Sequence, residues 1–184
     1  GIVPNFARWA DLVAGSEIPE DQQKEVNQML DEVTEYVFEI LQNSNFSQEV
    51  NETFLDCAVG TGVLLVEEGD ALNPIRFKAI PLPQVTLDSG HNDTIDHVYR
   101  MRRIKMRDLQ YAYPKGQLSD KMMMDMEKGG DKECEVLEVV YRNYANTKDE
   151  EHIYCVIAKE YEHEIMKETF KGVGSNPYVV YRWS

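Results

Sequence analysis

The glycines of the stretch 55–65 have the clearest potential for cofactor chemistry, because Gly60-Thr61-Gly62 sets two of them around one hydroxyl. A glycine-rich turn of this kind binds a nucleotide when a buried strand precedes it and a helix follows it. Here the order is reversed. Residues 46–58 place apolar side chains at helical spacing, and Val63 begins a β-favouring apolar run. We therefore interpret the segment as a link that ends a helix.

An enzymatic alternative stays open on the sequence alone. The same stretch is similar to the first motif of Rossmann-like methyltransferases, so an S-adenosylmethionine-dependent methyltransferase-like domain built on Gly60-Thr61-Gly62 is the second hypothesis. Such a domain needs an acidic residue at the end of a second strand, about 20 residues further on, to hold the ribose. No convincing second strand ends in an acidic residue at that distance, although Glu67, Glu68 and Asp88 could serve in its place. A helix at 46–58 and a strand at 63–67 would favour the link.

A basic row is the second feature with chemical potential, since eight consecutive positions hold five of the 19 basic residues. In a strand, Arg100 and Arg102 share one face, so the row can meet an acidic partner, a neighbouring subunit or nucleic acid. Cross-strand pairing with acids of the same chain, such as Glu135 and Glu138, is the alternative. The candidate charged-partner or subunit-contact residues are Arg100, Arg102, Arg103, Lys105 and Arg107.

The remaining reactive side chains predict no catalytic, cofactor-binding or metal site, and no cofactor. No histidine stands four residues from another ligand on a predicted helix. The cysteines lie far apart without a C-x-x-C pair, so we expect reduced and mostly buried thiols. The residues concerned are His91, His97, His152, His163, Cys57, Cys134 and Cys155.

Composition limits the class of protein. The 184 residues are 42% hydrophobic and 10% aromatic, which is enough to bury a core. The 19 basic and 33 acidic residues give a net charge of −14, so the chain repels polyphosphates and specific DNA binding is not expected. The longest apolar run, 62–66, is too short to cross a bilayer, and the N-terminal residues lack a signal-peptide pattern. We expect a soluble protein without membrane association.

Helical periodicity predicts two amphipathic helices near the start of the chain. The first begins after Pro19 and runs for about 20 residues, or about 30 Å. A break at 44–47 separates it from a second helix, which Asn45 or Ser47 can cap and which ends at Gly60. The apolar stripe of the first helix includes Met29, Leu30, Val33, Val37, Ile40 and Leu41.

The rest of the sequence has the texture of short strands divided by turn residues. Two helical pieces, 107–113 and 118–128, interrupt it. The last four strands are close enough in sequence to be joined by hairpins, which predicts an antiparallel meander. The predicted strands are 63–67, 74–80, 84–87, 95–106, 134–144, 152–160, 163–170 and 178–183.

These elements predict an α+β fold in which two N-terminal amphipathic helices lead into a mostly antiparallel β-sheet with a short helical insertion. We expect a single fragment of a larger subunit. Its helical part is 1–60, and its sheet part is 61–184 with the insertion at about 107–128. The chain ends straight after a strand-like run, which is a further reason to expect a piece of a longer protein.

Four short sequence segments, which we call phrases, follow one another along most of the chain. They are Phe6-Ala7-Arg8-Trp9 with the turn at 15–19; Ser44-Asn45-Phe46 followed by Gly60-Thr61-Gly62; Ile80-Pro81-Leu82-Pro83 followed by Ile95-Asp96-His97-Val98-Tyr99-Arg100; and Asn176-Pro177-Tyr178-Val179-Val180-Tyr181-Arg182-Trp183-Ser184. In this order they resemble the portal (head-to-tail connecting) proteins of podovirus-type bacteriophages and related prophages. The last phrase is the most telling, because the sheet region of that family ends in such a Pro-strand-Arg-Trp phrase.

The resemblance implies a structural subunit, not an enzyme, that assembles with copies of itself into a ring of twelve at the portal vertex of the virion. The implied partners are capsid, terminase and tail or adaptor proteins, and DNA passes through the intact ring during packaging and ejection. Assembly would take place in the host cytoplasm. The fragment would be the outer, wing-like portion, which supplies contact and scaffolding surface and stops before the elements that line the channel and meet the terminase.

Overall fold

The structure, a computed structural model, describes residues 8–90 and 93–182, which form an α+β fold of four helices and eight strands. The helices are α1 (Glu20–Asn43), α2 (Phe46–Cys57), α3 (Leu109–Ala112) and α4 (Asp120–Gly129). The strands are β1 (Thr61–Glu68), β2 (Ile75–Ala79), β3 (Val85–Ser89), β4 (Ile95–Lys105), β5 (Glu133–Arg142), β6 (Glu151–Ala158), β7 (His163–Lys171) and β8 (Tyr178–Arg182). The predicted class, with N-terminal helices leading into sheet, is confirmed. His91 and the ends of the first and last phrases, Phe6-Ala7 and Trp183-Ser184, lie outside the described residues.

The chain divides into two compact units, residues 1–80 with 179–184 and residues 81–178. The first unit contains α1, α2 and a three-stranded sheet of order β2-β1-β8. β1 and β2 are antiparallel, with Leu64 opposite Ala79. The core between α2 and this sheet is built on buried apolar side chains, with partly buried neighbours around them: Val50, Leu64, Phe77, Leu41, Phe46, Phe54, Val66, Ile75 and Tyr181.

Side chains of α2 and its N-terminus cover the outer edge of β2. The Asn45 amide accepts a hydrogen bond from the Phe77 N–H at 2.9 Å and donates one to the Phe77 carbonyl at 2.8 Å. Glu49 Oε2 accepts from the Ala79 N–H at 2.7 Å. Asn45 is the N-cap residue of α2, as predicted, but its side chain makes no capping hydrogen bond, because its amide is used on β2 and the Ser44 hydroxyl accepts the Phe46 N–H instead. An otherwise unpaired strand edge is thereby satisfied.

The second unit is a five-stranded antiparallel meander of order β3-β4-β5-β6-β7. β4 and β5 pair over nine positions, from His97 opposite Tyr141 to Lys105 opposite Glu133. The helical insertion, α3 and α4, follows β4 and packs on one face of the sheet. Its core contains buried side chains from the insertion and from β4 to β7: Ile104, Met106, Leu109, Tyr113, Met122, Cys134, Val136, Val156, Ala158 and Ile165.

The last strand departs from the predicted order. The sequence placed 178–183 as the fourth strand of a meander with 134–144, 152–160 and 163–170. In the structure β8 instead belongs to the three-stranded sheet, where its neighbour is β1. Local patterning marks a segment as a strand, but the partner of that strand depends on contacts far away in sequence.

Candidate assembly surface

The apolar stripe of α1 is wider than the covering that its own chain supplies. At about 100° per residue, its apolar positions occupy about 200° of the helix circumference, twice the width that a single packed face needs. Thr34 and Phe38, at one margin of the stripe, are buried. Four large side chains at the other margin keep between 42% and 63% of their surface exposed. We call these four, Met29, Val33, Tyr36 and Val37, the open face of α1.

The covered side of α1 faces the segment 8–17. The Leu12 N–H donates to Thr34 Oγ1 at 3.2 Å, and the Ala14 N–H donates to Asn27 Oδ1 at 2.7 Å. The Trp9 ring meets the Phe38 ring edge-on, with centroids 5.3 Å apart. The covering segment therefore lies on the side opposite the open face.

An uncovered apolar strip on a long helix is the kind of feature that marks a contact surface. Scattered single apolar side chains are normal on protein surfaces, but contiguous ones indicate binding. The four side chains of the open face recur at spacings of three and four residues, so they form one continuous strip. The arrangement is suited to binding another helix or an apolar groove.

The Gly60-Thr61-Gly62 segment allows close packing between α2 and β1. α2 ends at Cys57, before the first glycine, and β1 begins at Thr61; helix before strand is the order that the link hypothesis predicts and the reverse of a methyltransferase motif. A Cβ added at Gly62 would lie 2.6 Å from the Thr53 carbonyl oxygen. Only glycine permits this close approach of β1 to α2. The motif is therefore explained without a cofactor.

The basic row lies on β4 and just beyond it, and the structure divides its members by burial. Arg100 is 4% exposed and its Nη1 lies 3.1 Å from Glu138 Oε2 on β5. Arg102 Nη1 reaches Glu138 Oε1 at 3.2 Å. Arg103 Nη2 lies 3.2 Å from Glu135 Oε1. Cross-strand pairing, the alternative named from the sequence, is thus observed for these three arginines.

Glu138 is the centre of a buried polar cluster. Besides the two arginines, the Tyr113 hydroxyl donates to Oε1 at 2.6 Å and the Tyr178 hydroxyl donates to Oε2 at 3.4 Å. Arg100 Nε also donates to Gln84 Oε1 at 3.3 Å. Burial, reinforced by the Glu138 charge, raises the pKa of both tyrosines well above the ordinary value. A buried charge with this many donors is a structural pair, satisfied within the unit.

Sequence reasoning named Glu138 as a pairing acid but missed the two tyrosines. Tyr113 lies just after α3 and Tyr178 begins β8, so 25 and 40 residues separate them from Glu138. No periodicity connects positions so far apart. The only feature of the sequence that could have pointed to Tyr113 is its position at the end of a predicted helix, beside Pro114.

The other members of the basic row are exposed, and each has an acidic neighbour. Lys105 Nζ and Arg107 Nη1 lie 3.4 and 2.6 Å from Asp131 Oδ1. The side chains of Arg103, Lys105 and Arg107 keep 68%, 44% and 55% of their surface exposed. Exposed pairs of this kind contribute about 0–1 kcal/mol and exchange partners readily. These three cations can therefore be engaged from outside the chain.

A second polar cluster surrounds Asp96 and His152 in the meander. Asp96 accepts hydrogen bonds from the Tyr144 hydroxyl and from Thr94 Oγ1, and these bonds outweigh its burial and lower its pKa. His152 is 2% exposed and its Nδ1 lies 2.8 Å from Ser175 Oγ. Burial lowers the His152 pKa, although the Glu150 carboxylate opposes this. Burial therefore favours the neutral imidazole, and the cluster has a structural role.

Residues 8–90 and 93–182 give little support for a metal site or a reactive thiol. No group of three or more His, Cys, Asp or Glu side chains there could hold a metal ion. All three cysteines are free and buried, as predicted, and burial raises the pKa of Cys134 and of Cys155 to about 11. Among the described residues, no helix is both long and apolar enough to cross a membrane.

Comparison with known families identifies the class. The family model for bacteriophage head to tail connecting proteins matches residues 1–184, the whole chain. The chain therefore belongs to the bacteriophage head to tail connecting protein family, and its role is that of a structural connector between phage head and tail. A search of curated proteins finds no match.

Proposed function

We propose that this chain is the outer, wing-like region of a portal subunit, twelve copies of which form a ring at one capsid vertex. DNA enters the head through this ring during packaging and leaves through it on ejection. The region supplies contact and scaffolding surface as one fragment of the larger subunit. We further propose a phage of the podovirus type, encoded as a prophage, in line with the four phrases that resemble those proteins.

The observation that carries this proposal is the open face of α1 in a chain that belongs to a head-to-tail connecting family. A connector works by holding other proteins, so it needs surfaces that its own fold leaves uncovered. Met29 and Tyr36, with 62% and 63% of their surface exposed on one helix, are such a surface.

The charge of the chain suits a conduit for DNA. Cationic walls would bind phosphates and release counterions, and each such contact would slow translocation. A net charge of −14 opposes this binding, so DNA can pass the assembled ring without specific contacts to this region.

The exposed members of the basic row fit a contact between copies. Because every copy has a large excess of acidic residues, a neighbouring subunit presents mostly acidic surface to Arg103, Lys105 and Arg107. The pairs that these cations make within the chain are exposed and weak, so they can re-form across an interface. Arg100 and Arg102 instead hold Glu138 inside the meander.

The proposal places the protein at the portal vertex of the virion, after assembly in the host cytoplasm. Its partners there are the capsid and the tail or adaptor proteins, which the head-to-tail family implies in general terms.

Electron microscopy of the longer protein that contains this chain tests the proposal. We expect rings with a central hole, and mass photometry should give a mass near twelve subunits. Reversing the charges of Arg103, Lys105 and Arg107 together should reduce the fraction of rings, whereas reversing the exposed Lys148 should not. Discrete monomers at high protein concentration would contradict the ring.

A further inference from the structure

The residues around the open face follow a seven-residue repeat. Val26, Val33 and Ile40 occupy one position of the repeat, and Met29 and Tyr36 occupy the position three residues later. This is the a and d pattern of a coiled coil, with β-branched residues at a. From Val26 to Ile40 the seam is about 21 Å long. The open face is therefore shaped to receive one further helix along the axis of α1.

A row of carboxylates borders this seam. Glu25, Glu32 and Glu39 stand seven residues apart, each immediately before an a position, so all three occupy position g. All three are exposed, and no ion pair engages them within the part of the chain that the structure describes. α1 as a whole has a single cation, Lys24, and seven acids: Glu20, Asp21, Glu25, Asp31, Glu32, Glu35 and Glu39. Position g decides which partners a coiled coil accepts, because it faces charged positions of the other helix.

We propose that the open face of α1 and its Glu25-Glu32-Glu39 row bind an amphipathic helix of a different protein, one with apolar a and d positions bordered by Lys or Arg. The inference rests on the proposed function, because a subunit of a head-to-tail connector must hold other proteins. It goes further by naming the surface and the chemistry of the partner.

A second copy of α1 fits this surface poorly. Two α1 helices packed antiparallel would bring one row of glutamates against the other, since position g faces position g in that orientation. Packed in parallel, the glutamates would face position e, where Leu30 and Val37 stand and no cation is present. The net charge of −14 on each copy adds to the repulsion.

Neither the basic row nor the basic side of α4 matches the seam. Ile104 and Met106, which alternate with the exposed cations of the basic row, point into the core and cannot fill an apolar seam. On α4, Met124 lies between Lys121 and Lys128, but Asp120 and Glu127 stand on the same exposed surface. With ten residues, α4 is only about 15 Å long. A foreign helix therefore satisfies both the apolar pattern and the charge.

Two synthetic peptides test the proposal directly on this chain. Both contain three heptads with Ile at a and Leu at d. One has Lys at every e and g position and the other has Glu, so that neither peptide pairs with itself. Fluorescence anisotropy should show the Lys peptide binding at least about tenfold more tightly than the Glu peptide, with affinity falling as salt is added. Equal affinities for the two peptides would overturn the proposal.

Three variants separate the seam from general attraction to an acidic protein. Val33→Glu places a charge in the seam and should weaken the Lys peptide at least about tenfold. The triple change Glu25→Lys, Glu32→Lys, Glu39→Lys should invert the preference in favour of the Glu peptide. The matched triple change Glu52→Lys, Glu127→Lys, Asp149→Lys alters the net charge equally at exposed sites elsewhere and should keep the original preference. Inversion by the matched control would show non-specific attraction and contradict the inference.

The longer protein distinguishes failure of the inference from failure of the proposed function. Rings that form normally without any binding of the Lys peptide would retain the portal role and overturn the helix partner. Peptide binding by a protein that never forms rings would retain the helix partner and overturn the portal role. If Val33→Glu abolishes the rings themselves, the open face is a contact between copies, and the inference is wrong. If only the isolated chain binds the peptide, another segment of the same polypeptide occupies the seam, and the inference is again wrong.

Discussion

The two units of this protein differ in whether their side chains find partners within the unit. In the meander, even a charged group such as Glu138 is buried and satisfied by partners within the unit. In the first unit the longest helix leaves half of its apolar stripe uncovered, with Met29 and Val33 in solvent. A buried network stabilises one arrangement of its own fold, whereas an open face gains its stabilisation only from a partner. The contrast separates a part that maintains its own shape from a part for which we propose a binding role.

Removing the Glu138 carboxylate tests the self-sufficiency of the meander most severely. Glu138→Ala leaves the buried Arg100 guanidinium without its counter-charge, which should lower the free energy of unfolding by about 3–5 kcal/mol. The midpoint of urea denaturation, followed by circular dichroism, measures the loss. The double change Arg100→Met, Glu138→Leu should restore most of it. A loss below about 1 kcal/mol for Glu138→Ala would show that the pair does not stabilise the unit.

Two methionines compare the units with the same chemical change. Met122 on α4 is fully buried in the core of the meander, so Met122→Ala should cost about 2–5 kcal/mol of unfolding free energy. Met29 on α1 is 62% exposed, so Met29→Ala should cost less than about 0.5 kcal/mol in the isolated chain. Denaturation of both variants gives the ratio of the two losses of unfolding free energy. Similar losses would mean that the open face is covered in solution.

Asn45 shows how firmly the first unit keeps its own sheet. Asn45→Ala removes both hydrogen bonds to the Phe77 backbone, which should cost about 1–2 kcal/mol and expose the edge of β2. Hydrogen exchange of the Phe77 amide should accelerate by more than exchange in β1. Asn51→Ala, which loses a hydrogen bond internal to α2, is the matched control. An unchanged exchange rate at Phe77 would contradict the role given to the Asn45 amide.

The burial of His152 in the meander should make the unfolding free energy fall in acid. Because burial lowers its pKa in the folded state, the unfolded chain takes up this proton first as the pH falls below about 6.5. The contribution of His152 to stability is therefore full above that pH and decreases below it, by at most about 1.4 kcal/mol per pH unit. Glu150, Asp96, Arg142 and His97 also act on this ring, so the measurement is a difference between proteins.

The comparison for that prediction is the protein with His152→Gln. Its unfolding free energy should depend less steeply on pH between about 6.5 and 5 than that of the unchanged protein. Parallel curves would show that His152 does not remain neutral in the fold.

The elements and their class could be predicted because each depends on neighbouring residues. The stripe of α1 and the strand pairs around 95–106 and 134–144 repeat with the period of the structure they form. The burial of Cys57, Cys134 and Cys155 also followed from residue type and spacing. Pairing of the basic row with acids such as Glu135 and Glu138 could be named as an alternative, because neighbouring strands can place opposite charges face to face. The register that sets Arg103 opposite Glu135 came from the structure.

Other features required the folded chain. The sequence described the apolar stripe of α1, but which half would be covered depended on the segment 8–17, whose contacts have no periodic signature. The location of the candidate contact surface could therefore not be read from α1 alone, and the basic row, more conspicuous in sequence, contains two arginines that serve the interior.

The sequence by itself determined the helices, the strands and the acidic charge, since these follow from local backbone preference and composition. Tertiary structure alone decided that β8 pairs with β1, that Tyr113 and Tyr178 meet on Glu138, and that Gly62 lies against Thr53. These outcomes join residues that are distant in sequence, or depend on the path of the backbone between elements. Close packing and hydrogen-bond satisfaction select them once the whole chain has folded.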